Sequence, residues 1–152
     1  MKALIGIAVV VAFGSFQAQE SPVLVSPSDI QWKDAPPSLP PGAKAALIFG
    51  DPSKEGPFTL RLKMPADYKI APHLHPDTET VTVISGSFNV SMGDTFDASK
   101  AKSMPAGSFI AVPKKSSHFA FTKEESEIQV TAHGPWSLTY VNPADDPRNN
   151  KK

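Results

Sequence analysis

Two histidines one residue apart, His73 and His75, stand before a glutamate, Glu79, in the stretch PHLHPDTETVTVISG. In an extended chain side chains alternate between two faces, so both imidazoles point the same way and Glu79 shares their parity. Neutral imidazole and carboxylate are standard ligands for divalent zinc, iron, manganese and nickel. The spacing therefore indicates a metal site, with Asp77, of the same parity, as an alternative carboxylate. By itself the pattern also fits a polar strand edge.

A second group of residues follows about 30 positions later and completes a pair of motifs. The first stretch continues to Gly86 as H-x-H-x3-E-x6-G, and GSFIAVPKKSSHF supplies G-x5-P-x4-H as Gly107, Pro113 and His118. These runs resemble the two cupin motifs, G-x5-H-x-H-x3,4-E-x6-G and G-x5-P-x-G-x2-H-x3-N. The resemblance covers about residues 43–142 and implies a small single-domain cupin that binds one divalent transition metal ion (Zn, Fe, Mn or Ni). The metal ligands that it implies are His73, His75, Glu79 and His118.

Three positions depart from the cupin motifs. Asp67 stands in place of the leading glycine, and aspartate tolerates left-handed turn geometry better than most residues. In the second motif Lys115 replaces the glycine and Thr122 the asparagine, so we expect the loop before His118 to differ in shape. No ligand position is lost.

Several other residues have simpler interpretations. Gly86 and Gly107 are interpreted as turn residues that need positive φ, and His133 as a structural or surface histidine outside the metal site. Phe119 and Phe121 have the opposite parity to His118, so we expect them to enter a packing layer or a subunit contact. The candidates for an acid or base near the metal are Asp77, Tyr68, Tyr140 and Gln129, and none of them has a motif.

The elements that must position these residues are short strands. Sixteen prolines and nine glycines disfavour long helices. Residues 58–64 alternate apolar and polar side chains, and further strands are predicted at 45–49, 80–84, 87–91, 108–112, 118–122, 127–132 and 136–141. Residues 97–103 are expected to form a helical turn or a loop. The predicted fold is all-β, a single-domain cupin-type β-barrel (double-stranded β-helix, jelly-roll-like).

Composition narrows the partners. The 152 residues include 15 lysines and arginines against 15 aspartates and glutamates, without a long block of one sign. Binding to nucleic acid or to an anionic membrane is therefore disfavoured, and a small-molecule ligand or substrate fits better. Because the chain has no cysteine, any metal must be held by nitrogen and oxygen.

The chain divides into four parts. Residues 1–18 have the order of a signal peptide, so we expect a mature chain that starts near Gln19, is secreted or periplasmic, and has no membrane segment. A Pro-rich segment, 19–42, is expected to pack on the barrel through Trp32; the cupin domain spans 43–142 and a polar tail 143–152. We also expect a homodimer, because the Pro-rich segment could cover or exchange sheet edges.

Two functions remain open at this point. The first is an exported metal-dependent enzyme that performs oxygenase-like or Lewis-acid chemistry on a small organic substrate. The alternative is a non-enzymatic module in which the metal orients a small ligand for binding or sensing, or only stabilises the barrel. The residues favour the metal without selecting a reaction, so whether the protein is an enzyme is left undecided.

Overall fold

Eleven β-strands are the main regular elements in a computed structural model that describes residues 21–149. In chain order they are β1 (Lys33–Asp34), β2 (Lys44–Phe49), β3 (Gly56–Met64), β4 (Lys69–Leu74), β5 (Glu79–Ser85), β6 (Ser87–Met92), β7 (Lys102–Pro105), β8 (Phe109–Val112), β9 (His118–Thr122), β10 (Ser126–Gly134) and β11 (Thr139–Tyr140). The predicted signal peptide lies outside the described residues.

The strands form two antiparallel sheets. One has six strands in the order β1-β2-β3-β10-β5-β8, and the other has five in the order β11-β4-β9-β6-β7. Short 3₁₀ turns at Pro27–Asp29, Ala98–Lys100, Pro143–Asp145 and Pro147–Asn149 are the helical elements of the described chain. Within residues 21–149 no helix has the length and apolar character needed to cross a bilayer. The predicted all-β class is confirmed.

The core lies between the two sheets. The predicted alternation in β3 is observed, with Phe58, Leu62 and Met64 buried and Leu60 half-buried. β3 pairs with β10 without interruption from Gly56↔Gly134 to Met64↔Ser126. Since one face of each sheet carries apolar side chains, the faces meet in a single cluster. Its members include Val81, Val83, Ile128 and Val130 from the six-stranded sheet and Ile70, Phe88 and Ala120 from the other.

One predicted strand is wrong in extent, and one strand was not predicted. The strand predicted at 136–141 is reduced to Thr139–Tyr140, because β10 ends at Gly134 and the Pro135 that follows has no N–H for a ladder. The short helical turn predicted within 97–103 is observed as the 3₁₀ turn Ala98–Lys100, whereas β7, which begins at Lys102 and pairs with β6, was not predicted. The sequence KSMP of β7 has no apolar alternation that could have revealed it.

The Pro-rich segment contacts the barrel from Trp32 onward. Lys33 and Asp34 pair with β2, and the Lys63 ammonium lies 4.7 Å from the centre of the Trp32 ring. Leu39 is buried in the core. The backbone carbonyls of Ser38 and Pro40 accept hydrogen bonds from the hydroxyls of Tyr140 and Tyr68. The limits assigned to the four parts of the chain stay a prediction.

Candidate metal centre

The predicted ligands come from both sheets. His73 lies near the end of β4 and His118 begins β9, whereas Glu79 begins β5 in the opposite sheet. His75 follows directly after β4, before the turn that carries the chain to β5. All four side chains are buried, with residue exposures between 3% and 9%. Strand parity predicted this convergence, because residues 73, 75 and 79 face the same interior.

Each of the three imidazoles has one ring nitrogen anchored to the backbone. The Nδ1 atoms donate to the carbonyls of Ala71 (from His73, 2.8 Å), Ser137 (from His75, 2.8 Å) and Ser116 (from His118, 3.2 Å). Because a carbonyl oxygen can only accept, Nδ1 carries the hydrogen and a neutral ring presents its lone pair at Nε2. Anchoring of this kind holds a ring at the orientation and tautomer that a metal ligand needs.

The free ends of the side chains converge. One ligand nitrogen from each of His73, His75 and His118 lies within 4.8 Å of the others. Glu79 is part of the same cluster, with Oε2 3.3 Å from the Nε2 of His118 and Oε1 3.7 Å from the Nε2 of His75. The Nε2 of His75 is buried and has no hydrogen-bond partner. A divalent transition metal fits this donor set, since it would satisfy that nitrogen and neutralise the buried carboxylate.

Electrostatics keeps two of the imidazoles neutral. Burial, reinforced by the neighbouring rings of His118 and His75, holds the pKa of His73 well below its usual range. Burial also lowers the pKa of His75, against the opposing effect of the Glu79 carboxylate. A neutral imidazole is the form that binds a metal, so these two rings need not release a proton first at neutral pH.

The turns around the ligands adopt the backbone that the motifs require. Gly86 and Gly107 have positive φ, 69° and 85°, as predicted. Asp67 and Lys115, which replace motif glycines, both have φ of 60°. Lys115 also donates its backbone N–H to the carbonyl of His75 at 2.8 Å. The loop before His118 therefore keeps a residue with left-handed backbone although its sequence departs from the motif. Through Lys115 this loop is hydrogen-bonded to His75 of the first motif.

The ligand cluster forms part of the wall of a cavity of about 300 Å³. Apolar side chains from both sheets make up most of the remaining wall, among them Leu62, Ile70, Val81, Phe88, Ile128 and Val130. Leu39 of the Pro-rich segment also lines it. An apolar cavity next to convergent polar groups is the usual form of a small-molecule site.

Trp136 is a site residue that the sequence reasoning missed. Its ring stacks on His75 with a centroid distance of 4.2 Å and an interplanar angle of 15°, and it also lines the cavity. Its backbone N–H donates to the carbonyl of Pro52 at 2.8 Å, and its ring meets the edge of Phe58. The preceding Gly-Pro dipeptide was a signal that the strand ended there and that Trp136 belonged to a loop.

The four acid–base candidates do not line the cavity, so this prediction is wrong. Tyr68 and Tyr140 are buried, and their hydroxyls donate to backbone carbonyls of the Pro-rich segment. Both side chains therefore have a structural role. Gln129 accepts a hydrogen bond from Arg61. Asp77, the alternative ligand, accepts from the backbone N–H of Thr78.

The remaining aromatic and histidine predictions have a clear outcome within the described chain. Phe119 and Phe121 are buried and pack against Phe96, at ring distances of 4.7 and 5.7 Å, so they form a packing layer inside one chain. His133 is exposed and lies outside the histidine cluster. The homodimer stays a prediction, now without support from the two phenylalanines.

Comparison with known proteins agrees with this architecture. Residues 20–137 match the family model described as the ChrR cupin-like domain. A search of curated proteins found no match. Similar solved structures include a candidate acetylacetone dioxygenase from Methylibium petroleiphilum (TM-score 0.67, 21% identity, 87% of this chain and 89% of that one). An acetylacetone dioxygenase from Acinetobacter johnsonii (0.65, 18%, 90% and 88%) and the polyketide cyclase RemF from Streptomyces resistomycificus (0.67, 16%, 82% and 88%) share the fold. The predicted cupin-type barrel is confirmed.

Proposed function

This chain belongs to the ChrR cupin-like domain family, and we propose that it is an exported metalloenzyme acting on a small organic substrate. In this proposal His73, His75, Glu79 and His118 hold one divalent transition metal ion. The substrate enters the adjoining cavity and reacts there by oxygenase-like or Lewis-acid chemistry.

The observation that carries the proposal is the partnerless Nε2 of His75. It is buried beside Glu79, while the opposite nitrogen of the same ring is anchored to Ser137. A buried polar atom without a partner is costly, and the arrangement leaves its lone pair directed at the other ligands. A structural histidine with no ligand to bind would gain nothing from this orientation.

The ligands and the cavity wall have different roles in this proposal. The three imidazoles supply nitrogen donors at orientations set by Ala71, Ser137 and Ser116, and Glu79 supplies a carboxylate oxygen. A bound ion of this type supplies a Lewis-acid or redox centre, with roughly two further positions if it is octahedral. The apolar side chains around the cluster lower the local polarity and so strengthen electrostatic interactions at the centre.

The structural neighbours support an enzyme without selecting the reaction. The dioxygenase and the cyclase share this fold at identities below 25%, so their activities are properties of those proteins. They indicate that both oxidative and non-oxidative chemistry occur on closely similar barrels. Fold similarity gives only an associational argument for either one.

One observation favours the second candidate function, a non-enzymatic binding or sensing module. Of the described residues that line the cavity, none outside the four ligands is an aspartate, glutamate, lysine, arginine or tyrosine. A general acid or base would then have to be Glu79 itself or a solvent molecule. If neither serves, the metal would orient a ligand that is not transformed.

The test begins with metal analysis of the protein purified from its native compartment, followed by addition of azide or nitric oxide. An enzyme with an open centre should contain one metal per chain, change its spectrum with the added ligand, and turn over a member of a small-molecule panel. Glu79→Gln should abolish turnover. The matched control is Glu127→Gln, because Glu127 pairs with Arg61 away from the cavity. Stoichiometric four-coordinate zinc, inert to anions and to the panel, would favour the binding module instead.

Export is the second part of the proposal. It is supported by the order of the first 18 residues, in which Lys2 is followed by an apolar run and then by small residues. Intact mass of the protein from its native host should correspond to a chain that starts near Gln19. A cytoplasmic protein that retains Met1 would contradict it.

A further inference from the structure

The cavity wall carries charge in one place. Among the described lining residues, the ionisable groups are the three histidines and Glu79, and no lysine or arginine is present. Most of the other lining side chains are aliphatic or aromatic and come from both sheets and from the loops between strands. A charged group on a ligand, placed away from the metal centre, would lose its hydration without gaining an ion-pair partner.

The polar side chains that complete the wall are serines with limited reach. Ser53 and Ser137 are exposed to solvent, so they belong to the open part of the cavity. The third, Ser38, is half-buried on the Pro-rich segment. A ligand can therefore make polar contacts at the histidine–glutamate cluster and at the solvent-facing rim. The rest of the wall is apolar and is formed by residues such as Leu62, Val81 and Ile128.

Size adds a second limit. A volume of about 300 Å³ lies at the lower end of the range for ligand sites. Trp136 contributes a flat aromatic surface beside His75, and Leu60 is a half-buried wall residue. The space suits a compact molecule whose body is apolar.

From these observations we infer the substrate class, an inference that rests on the proposed function. The substrate is a small molecule with one oxygen-bearing head group that binds the metal centre and an uncharged, largely apolar body that lies against the wall. Molecules with a charged second end, such as amino acids with basic side chains or dicarboxylates, are excluded. This charge selection comes from the wall and not from the metal ligands.

The test uses the metal-loaded protein and three hydroxamates, whose two oxygens bind metals directly. The probes are acetohydroxamate, hexanohydroxamate and 6-aminohexanohydroxamate, and the readout is affinity by isothermal titration. Hexanohydroxamate should bind at least about tenfold tighter than acetohydroxamate, because its extra methylenes leave water for the apolar wall. 6-Aminohexanohydroxamate, whose chain ends in an ammonium group, should bind at least about tenfold more weakly than hexanohydroxamate.

Two variants test the wall directly. Leu60→Lys places a cation in the wall, so it should weaken hexanohydroxamate and strengthen adipic acid monohydroxamate, which carries a terminal carboxylate. Ile84→Lys is the matched control, since Ile84 is exposed on β5 and does not line the cavity. It should leave all the affinities unchanged. The probe series itself uses the unaltered chain and does not depend on either variant folding.

The outcomes separate this inference from the proposed function. Two results would overturn the substrate class: hexanohydroxamate binds no more tightly than acetohydroxamate, or 6-aminohexanohydroxamate binds as tightly as hexanohydroxamate. In either case, binding of acetohydroxamate would still show an open metal centre. Failure of every hydroxamate to bind the loaded protein would show that the centre has no open position. That result would overturn the proposed function, and the substrate class with it.

Discussion

His73 on β4 and His118 on β9 are cross-strand partners, and their ring centroids lie 4.2 Å apart. Directly opposite residues in an antiparallel pair project from the same face, so the register of these two strands brings candidate ligands from the two motifs together. A slip of one residue would turn one ring to the outer face of the sheet. The closeness of these two candidate ligands is therefore a consequence of strand pairing.

The first prediction concerns His118 and a control histidine. His118→Ala should remove bound metal, with affinity at least about a hundredfold weaker, because it deletes one of the four candidate ligands and the imidazole nearest to Glu79. His133→Ala should keep full metal content, since His133 is exposed outside the cluster. Chelator competition and elemental analysis measure both. Equal metal content in the two variants would show that the site is misassigned.

The second prediction concerns Trp136. Trp136→Leu should weaken metal binding about 10- to 100-fold, because the indole stacks on His75 and fixes the plane of a ligand ring. Trp32→Leu is the control, as Trp32 lies against Lys63 and not against a ligand. Metal affinity at neutral pH is compared for folded preparations of both. An unchanged affinity in the Trp136 variant would contradict the positioning role.

The third prediction uses the chain's two tyrosines. Burial raises the pKa of Tyr68, and burial together with Asp146 raises that of Tyr140 to about 12. A group whose pKa is higher in the folded state stabilises the fold fully below its unfolded pKa of about 10, and that contribution is lost as pH rises through the folded value.

Ultraviolet titration of tyrosinate measures this directly. The folded protein should show little tyrosinate at about pH 10.5, whereas the urea-unfolded chain should be more than half ionised there. Tyr140→Phe leaves Tyr68 as the single reporter. Titration of the folded protein near pH 10 would mean that neither hydroxyl is held by the Pro-rich segment.

The fourth prediction compares two glycines with positive φ. Gly107→Ala should cost about 1 kcal/mol, because a side chain disfavours φ of 85° but its Cβ would meet no atom within 4 Å. Gly86→Ala should cost about 1–3 kcal/mol more, since its Cβ would clash with the carbonyl of Glu125 and lie 2.5 Å from Ser126 Oγ. Urea unfolding measures both, and equal losses would show that the Gly86 turn can relax.

Parts of the site were predictable because they follow local rules. The parity of residues 73, 75 and 79 places three side chains on one face wherever the chain is extended, and the alternation in 58–64 identifies a strand with one buried side. His118 could be added through the resemblance of two motifs. The altered residue Lys115 shows the limit of that approach, because its sequence suggested a changed loop while its backbone keeps φ of 60°.

Local periodicity and motif spacing were sufficient for the all-β class, the candidate ligands and the turn glycines, since each depends on neighbours close in the chain. The stacking of Trp136 on His75, the anchoring of that ring by Ser137 and the carbonyl partners of both tyrosines join residues 28 to 102 positions apart. Such contacts arise when two sheets pack and loops cross the mouth of the barrel. The orientation of a side chain that contacts a residue far away in the sequence depends on many packing contacts, and no short stretch of sequence contains that information.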